Sequence, residues 1–368
     1  MSNMLSFRGG RRWPLARSVL AVFLVLVAGC SGSEVSAPQP IKVSEVHDFD
    51  TAGVTLRLVT HESFGISDEV WAKFTDETGI TVDVVGAGDA GEIVARAVLS
   101  AGQPEGDVLF GVDNTFLQRA LDANIFVPYE SPGLVNVDPE LVVDDEHRVT
   151  PIDYGDVCVN YWLDAIPGDR TELSLDDLTD PDLAASFVTQ DPESSSPGFA
   201  FLLATIAAYG DGWEAYWQSL ADGGVTIASG WEDAYYGEFI AGGGDNALVT
   251  SYASSPVAEV VYGETGVGPA PTAVIADSCF RQIEFAGVLN GTSHPEAAAK
   301  LIDFMLSETF QADIPLNMFV SPANSQVELP AVFVENLVET QSPYQLSPLE
   351  IEANRSQWTE RWVDIVLR

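Results

Sequence analysis

From Val54 onward, short apolar runs alternate with amphipathic ones at a spacing that leaves few folds open. VTLRLVT (54–60) has the length and β-branched content of a strand, and SDEVWAKFTDETG (67–79) has helical periodicity until Gly79 stops it. The pair recurs as ITVDVVG (80–86) with DAGEIVARAVLSAG (89–102), where Asp89 is a candidate N-cap and Gly102 follows the end. It recurs again as DVLFGV (107–112) with NTFLQRALDANIF (114–126). Strand–helix alternation at this spacing predicts βαβ units and a largely parallel sheet. After residue 157 the pattern resumes, with strands at 157–162, 186–190, 225–229, 246–252 and 281–289. The helices between and after them fall at 197–209, 231–241, 256–263, 294–314 and 347–367. Two α/β lobes accommodate this order better than one continuous sheet.

The N-terminus is of another kind. Residues 1–29 contain Arg8, Arg11, Arg12 and Arg17 and no acid, and run into SVLAVFLVLVAGC. A basic start and a short apolar run ending in small residues read as a signal peptide, since the run is too short to cross a bilayer comfortably. VAGC resembles the lipobox of bacterial lipoproteins, in which Cys30 becomes the lipidated first residue. The Arg11-Arg12 pair leaves Sec and twin-arginine export both open. Residues 30–53 read as a polar, proline-containing tether. The expectation is an extracytoplasmic protein anchored to the membrane by lipid.

Acids outnumber bases 55 to 16, a net charge of −39. That charge argues against nucleic acid or anionic headgroups as partners and suits a cationic ligand, although a salt-adapted proteome would produce the same balance. With Cys30 assigned, Cys158 and Cys279 remain. In an exported chain they suggest a disulfide; a reactive thiol or a metal ligand is the alternative. His47, His61, His147 and His294 have no metal-type spacing.

Open α/β sheets bind ligands beyond the carboxyl ends of their strands. The turns there carry His61, Glu62, Ser63 and Phe64, then Asp89, then Asp113 and Asn114. From the later strands come Asp191 to Ser196, Gly230-Trp231 and SYASSP (251–256). Ser194, Ser195 and Ser196 stand directly before an apolar helix. Ser196 reads as its N-cap and Pro197 as its first residue, so the amides of 198–200 would point outward with the helix dipole.

These segments, in this order, resemble the thiamine-binding subunit of the bacterial thiamine ABC importer. The matching stretches are HESF (61–64), DVLFGVDNTFL (107–117), PIDYG (151–155) and QDPESSSPGFAFLL (190–203), followed by GWEDAY (230–235), SYASSP (251–256) and FQADIP (310–315). The resemblance implies a two-lobed, type II periplasmic-binding-protein-like α/β fold with the ligand between the lobes. The first lobe would be 54–156 plus 281–368 and the second 157–280. It also implies a monomer that delivers thiamine or a thiamine phosphate to a membrane permease, without cofactor, metal or catalysis.

By the same resemblance, Trp231 and Tyr252 match aromatic positions of the family's site and Phe319 falls near a family tryptophan. His61 stands where the family often has tyrosine. A flat thiazolium cation calls for such ring faces. Asp89 and Asp113 would meet the aminopyrimidine, and Ser194 to Ser196 the hydroxyethyl or phosphate end. Asp153 and Tyr154 of PIDYG, with Tyr235 and Ser254, complete the implied set. The two segments that cross between lobes are adjacent in this architecture, so a Cys158–Cys279 bridge would close the second lobe at its base.

Two rivals remain. Tyr235-Tyr236 suits a ferric-ion binder of the same fold, although one tyrosine of a helical pair should face away from the other. An extracellular hydrolase would need a motif such as G-x-S-x-G, H-E-x-x-H or a P-loop, and the chain has none. A carboxylate pair such as Asp153 and Asp156 suits acid–base work, but such pairs are common in a chain this acidic.

Overall fold

The computed structural model describes residues 38–368, except 52, 167–171, 243–244 and 264–265. The expected signal peptide, Cys30 and the start of the expected tether lie outside the described residues. The chain enters through a short helix, α1 (Val43–Asp48). This corrects the tether, whose later part is docked: the Ile41 amide donates to Pro128 O at 3.0 Å and Val46 is buried.

The first alternation is β1 (Thr55–Thr60), α2 (Asp68–Thr78), β2 (Thr81–Gly86), α3 (Ala90–Leu99), β3 (Val108–Asp113) and α4 (Leu117–Asp122). Gly79 ends α2 in the left-handed region at φ 73°, which a residue without Cβ adopts at little cost. The helix expected over 114–126 is shorter, because Phe126–Val127 form a strand, β4, that pairs away from α4.

Next come β5 (Thr150–Trp162), α5 (Pro181–Ala184), β6 (Phe187–Gln190), α6 (Ser196–Tyr209), α7 (Trp213–Gly223) and β7 (Thr226–Ala228). A π-helix (Asp233–Ile240) follows, then β8 (Leu248–Tyr252), α8 (Ser255–Val261) and β9 (Thr272–Leu289). The chain ends with α9 (Pro295–Met305), α10 (Glu308–Gln311), α11 (Ile314–Asn317), β10 (Ser321–Pro322), α12 (Ala331–Asn336) and α13 (Pro348–Val366). The single helix expected over 294–314 is thus broken. Ser307 caps a new helix by accepting from the Phe310 amide, and Asp313 is drawn onto Ser67, accepting from its amide at 2.7 Å and its hydroxyl at 3.0 Å.

The strands run in the order β2-β1-β3-β9-β5-β8-β6-β7. β1 is parallel to β2 and β3, and β6 is parallel to β7 and β8. Between these groups lie β5 and β9, antiparallel to each other along most of their length. Only strands of 13 and 18 residues could belong to both groups. Both groups therefore belong to one ten-stranded sheet, continuous through its crossing strands, whereas the sequence pattern favours two lobes over one continuous sheet.

Cys158 and Cys279 form the expected disulfide, with Cα atoms 4.2 Å apart, beyond the middle of the crossing strands and toward β8. The closing helix, expected with the first lobe, contacts elements of both strand groups. Trp362 of α13 packs edge-on against Trp217 of α7, and Arg361 pairs with Glu214 at 2.6 Å, while other residues of α13 pack on α4. Both strand groups thus share one C-terminal clasp.

Candidate functional site

The carboxyl ends of both strand groups converge on a cleft of about 880 Å³, including its open mouth. His61 and Ser63 after β1 and Asp89 after β2 line it from one side. Ser196, Trp231, Tyr235 and Tyr252 line it from the other, and Phe319 closes one end. Eight residues singled out from sequence thus share one cavity.

Trp231 and Tyr235 stack with centroids 4.8 Å apart and planes 12° from parallel, and Tyr252 stands edge-on to Trp231 at 6.2 Å. The indole Nε1 donates to Ser251 Oγ at 3.0 Å, fixing the ring. Tyr236 does not face away from Tyr235, as a regular helix would require; both line the cleft, with ring centroids 5.1 Å apart. The segment is a π-helix, whose wider turn brings successive side chains closer together.

The Tyr235 hydroxyl donates to Glu259, and Thr272 donates to the other Glu259 oxygen at 2.6 Å. Burial raises the Glu259 carboxyl to about 7 despite those bonds. Phe319 holds a left-handed backbone at φ 54°, unusual for a bulky residue, and Ser254 Oγ donates to its carbonyl. Ser254 therefore positions Phe319 and does not itself line the cleft.

The floor is acidic. His61 Nε2 lies 3.3 Å from Glu284 Oε1, with both side chains nearly buried. Gly111, at φ 95° beside a bulge in β3, makes room for that histidine: a Cβ there would come within 2.4 Å of the His61 ring. Burial works against charge on His61, but Glu284, Asp89 and Glu62 together raise its pKa. Asp153, opposite Glu284 on β5, is fully buried, and burial and the neighbouring Glu284 raise its carboxyl well above the usual range. Glu284 was absent from the expected set, although a single acid within the apolar RQIEFAGVL was a readable signal.

Asp113 lies beneath the cleft rather than in it. Its Oδ1 accepts from the amides of Thr115 and Phe116, both at 3.1 Å, and from Thr115 Oγ1 at 2.7 Å. Its Oδ2 accepts from Ser196 Oγ at 2.7 Å and Gln282 Nε2 at 2.8 Å. Burial raises its pKa, against the lowering effect of these bonds.

Two of the three serines, Ser194 and Ser196, are engaged in a similar way. Ser195, not Ser196, is the N-cap position of α6, which makes Pro197 its second residue. The Ser195 hydroxyl is buried and does not cap the helix, and Ser194 Oγ donates to Ser229 O at 2.7 Å. Gly198 lets the helix start approach Gln190 O, where a Cβ would sit at 2.5 Å.

Three contacts join residues flanking the cleft. The Trp231 amide donates to Asp89 Oδ2 at 3.0 Å, the Gly91 amide to Ser194 O at 3.1 Å, and Ser254 to Phe319. Beneath them the Arg355 guanidinium is sandwiched between Phe116 at 4.1 Å and Phe199 at 4.0 Å, and donates to Thr115 O.

The remaining expected residues fall outside the cavity lining. Phe64 packs on Phe110 and Trp71. Tyr154 lies under Arg281, its ring centroid 5.2 Å from the guanidinium carbon. Glu62 is exposed, its pKa raised by partial burial and by Glu232, Asp89 and Glu92.

Two strand groups joined by paired crossing strands, with an aromatic and acidic cleft at their carboxyl ends, define an extracytoplasmic solute-binding protein of the type II periplasmic-binding architecture. The chain belongs to the bacterial extracellular solute-binding protein family, whose model matches residues 105–345. It is 30% identical over 318 residues to the thiamine-binding periplasmic protein of Escherichia coli (strain K12), covering 85% of this chain and 94% of that one. The protein of the same name from Salmonella typhimurium is 29% identical over 323 residues, again covering 85% and 94%. Among solved structures, a periplasmic thiamin binding protein superposes with a TM-score of 0.76 at 28% identity, covering 85% of this chain and 96% of that one.

Proposed function

We propose that this protein binds thiamine outside the membrane and delivers it to the permease of an ABC importer, acting as a lipid-anchored monomer without catalysis. The observation that carries the reading is the cleft wall. Trp231, Tyr236 and Tyr252 line it with rings, Tyr235 backs the indole, and Asp89, Glu232 and Glu284 supply negative charge. Among the described lining residues there is no lysine or arginine. A flat cation gains from both features, each ring face contributing about 0.5–2 kcal/mol when desolvated.

The same charges oppose a phosphate group, and the serine hydroxyls expected to receive one are already engaged or buried. Thiamine is therefore favoured over thiamine phosphate and thiamine diphosphate. The ferric reading gains little from the clustered tyrosines: the Tyr235 hydroxyl donates a hydrogen bond to Glu259, and burial raises the pKa of both Tyr235 and Tyr236, disfavouring phenolate.

Calorimetry with thiamine and its two phosphates tests the proposal. Thiamine should bind tightest, quench tryptophan fluorescence, and lose at least tenfold in affinity in Trp231→Ala. Heat released only by the phosphates, or a tyrosinate-to-iron colour on adding ferric salt, would refute it.

A further inference from the structure

Three carboxyl side chains stand in one row across the crossing strands: Glu284 on β9 is directly opposite Asp113 on β3 and Asp153 on β5. Like charges placed so are destabilising, so each must be satisfied separately. Asp113 is satisfied by donors from Thr115, Phe116, Ser196 and Gln282. Asp153 is the opposite case: both of its oxygens are buried, and neither receives a hydrogen bond from a donor group. What faces it is the Glu284 carboxylate, its direct partner in the strand register, and two neighbouring buried carboxyl groups reduce their repulsion by sharing a proton. Because Asp153 is wholly enclosed, that proton belongs on it and is donated to Glu284. Of the three acids only Glu284 lines the cleft, with Tyr252 and His61 beside it.

We infer that Glu284, held in place by the protonated Asp153 behind it, is the specificity-determining acceptor of the cleft, taking a hydrogen bond from an N–H group on a heteroaromatic ligand. The inference rests on the thiamine reading, in which that donor is the amino group of the pyrimidine. A buried acceptor discriminates because an analogue lacking the donor leaves it unpaired, and sites built this way reject such analogues strongly.

The test compares thiamine with the analogue bearing a carbonyl oxygen in place of the pyrimidine amino group. Affinities are measured by calorimetry for the wild type, Glu284→Gln, Glu284→Asp and Asp153→Asn, with melting temperatures as a check on folding. The wild type should prefer thiamine by about tenfold or more. Glu284→Gln should reduce that preference to below about threefold, because an amide can turn to meet either edge. Glu284→Asp keeps the charge but withdraws it by one methylene, and should lose the preference as well. Asp153→Asn should retain it, since the amide donates the same bond as the protonated acid.

A folded Glu284→Gln that keeps the full preference overturns the inference while leaving the thiamine reading intact. So does a folded Asp153→Asn that loses it, because the proton held behind Glu284 would then not be what positions it. A wild-type protein that binds neither compound overturns the thiamine reading itself, and this inference with it.

Discussion

Replacing both Cys158 and Cys279 by alanine removes a bridge whose ends lie 121 residues apart in sequence and on adjacent strands of the fold. The chain-entropy relation for a loop of that length corresponds to about 5 kcal/mol, an upper guide because β5 and β9 remain hydrogen-bonded around the site. Unfolding entropy near the melting point is about 2.1 cal/mol/K per residue, or roughly 0.7 kcal/mol/K for a unit spanning residues 35–368. The melting temperature should therefore fall by up to about 7 °C in a calorimetric scan. Neither cysteine lines the cleft, and both sit in a small buried cluster with Ala253. Thiamine affinity at 25 °C should accordingly stay within about threefold of wild type. A fall of less than about 2 °C would show that the bridge restrains little of the unfolded chain. A melting loss accompanied by a tenfold loss of affinity would show that the crossing strands themselves depend on the bond.

Two further outcomes follow from the buried charges. Arg355→Ala removes two ring contacts and a charged hydrogen bond but also relieves a guanidinium whose pKa burial lowers to about 10; the net loss in urea unfolding should be about 3–4 kcal/mol. A loss below about 1 kcal/mol would mean the sandwich is not a clasp. Glu259, raised from 4.5 to about 7, binds more protons folded than unfolded between those values. Its contribution is fully present below pH 4.5 and lost as pH rises through about 7, a change of about 3 kcal/mol. Glu259→Gln should flatten that decline when urea midpoints are compared at pH 5 and pH 8, and an unaltered slope would count against it.

Much of the local layer was determined by the sequence alone. Alternating apolar periods placed β1, α2, β2, α3 and β3, and Gly79, Asp89 and the strand-end turns fell where backbone chemistry requires them. Such features depend on residues a few positions apart. α7 went unread because WEAYWQSLADG follows α6 after only a short 3₁₀ turn, Gly210–Gly212, and no intervening strand marked a new element. The first break within 294–314 is local, at the Ser307 cap, whereas the second lies where Ser67 claims Asp313 from 246 residues away. Tertiary structure also assigned the acids their roles. Asp113 looked like a ligand group until Ser196, 83 residues on, and Gln282, 169 residues on, turned it inward. Register puts Glu284 on the same face as Asp113 and Asp153, and of the three it alone reaches the cleft lining, with His61 alongside. Periodicity tells which residues share a face of one element. Which of several acids meets the ligand depends on strand register and on donors brought from distant segments, and those exist only once the chain has folded.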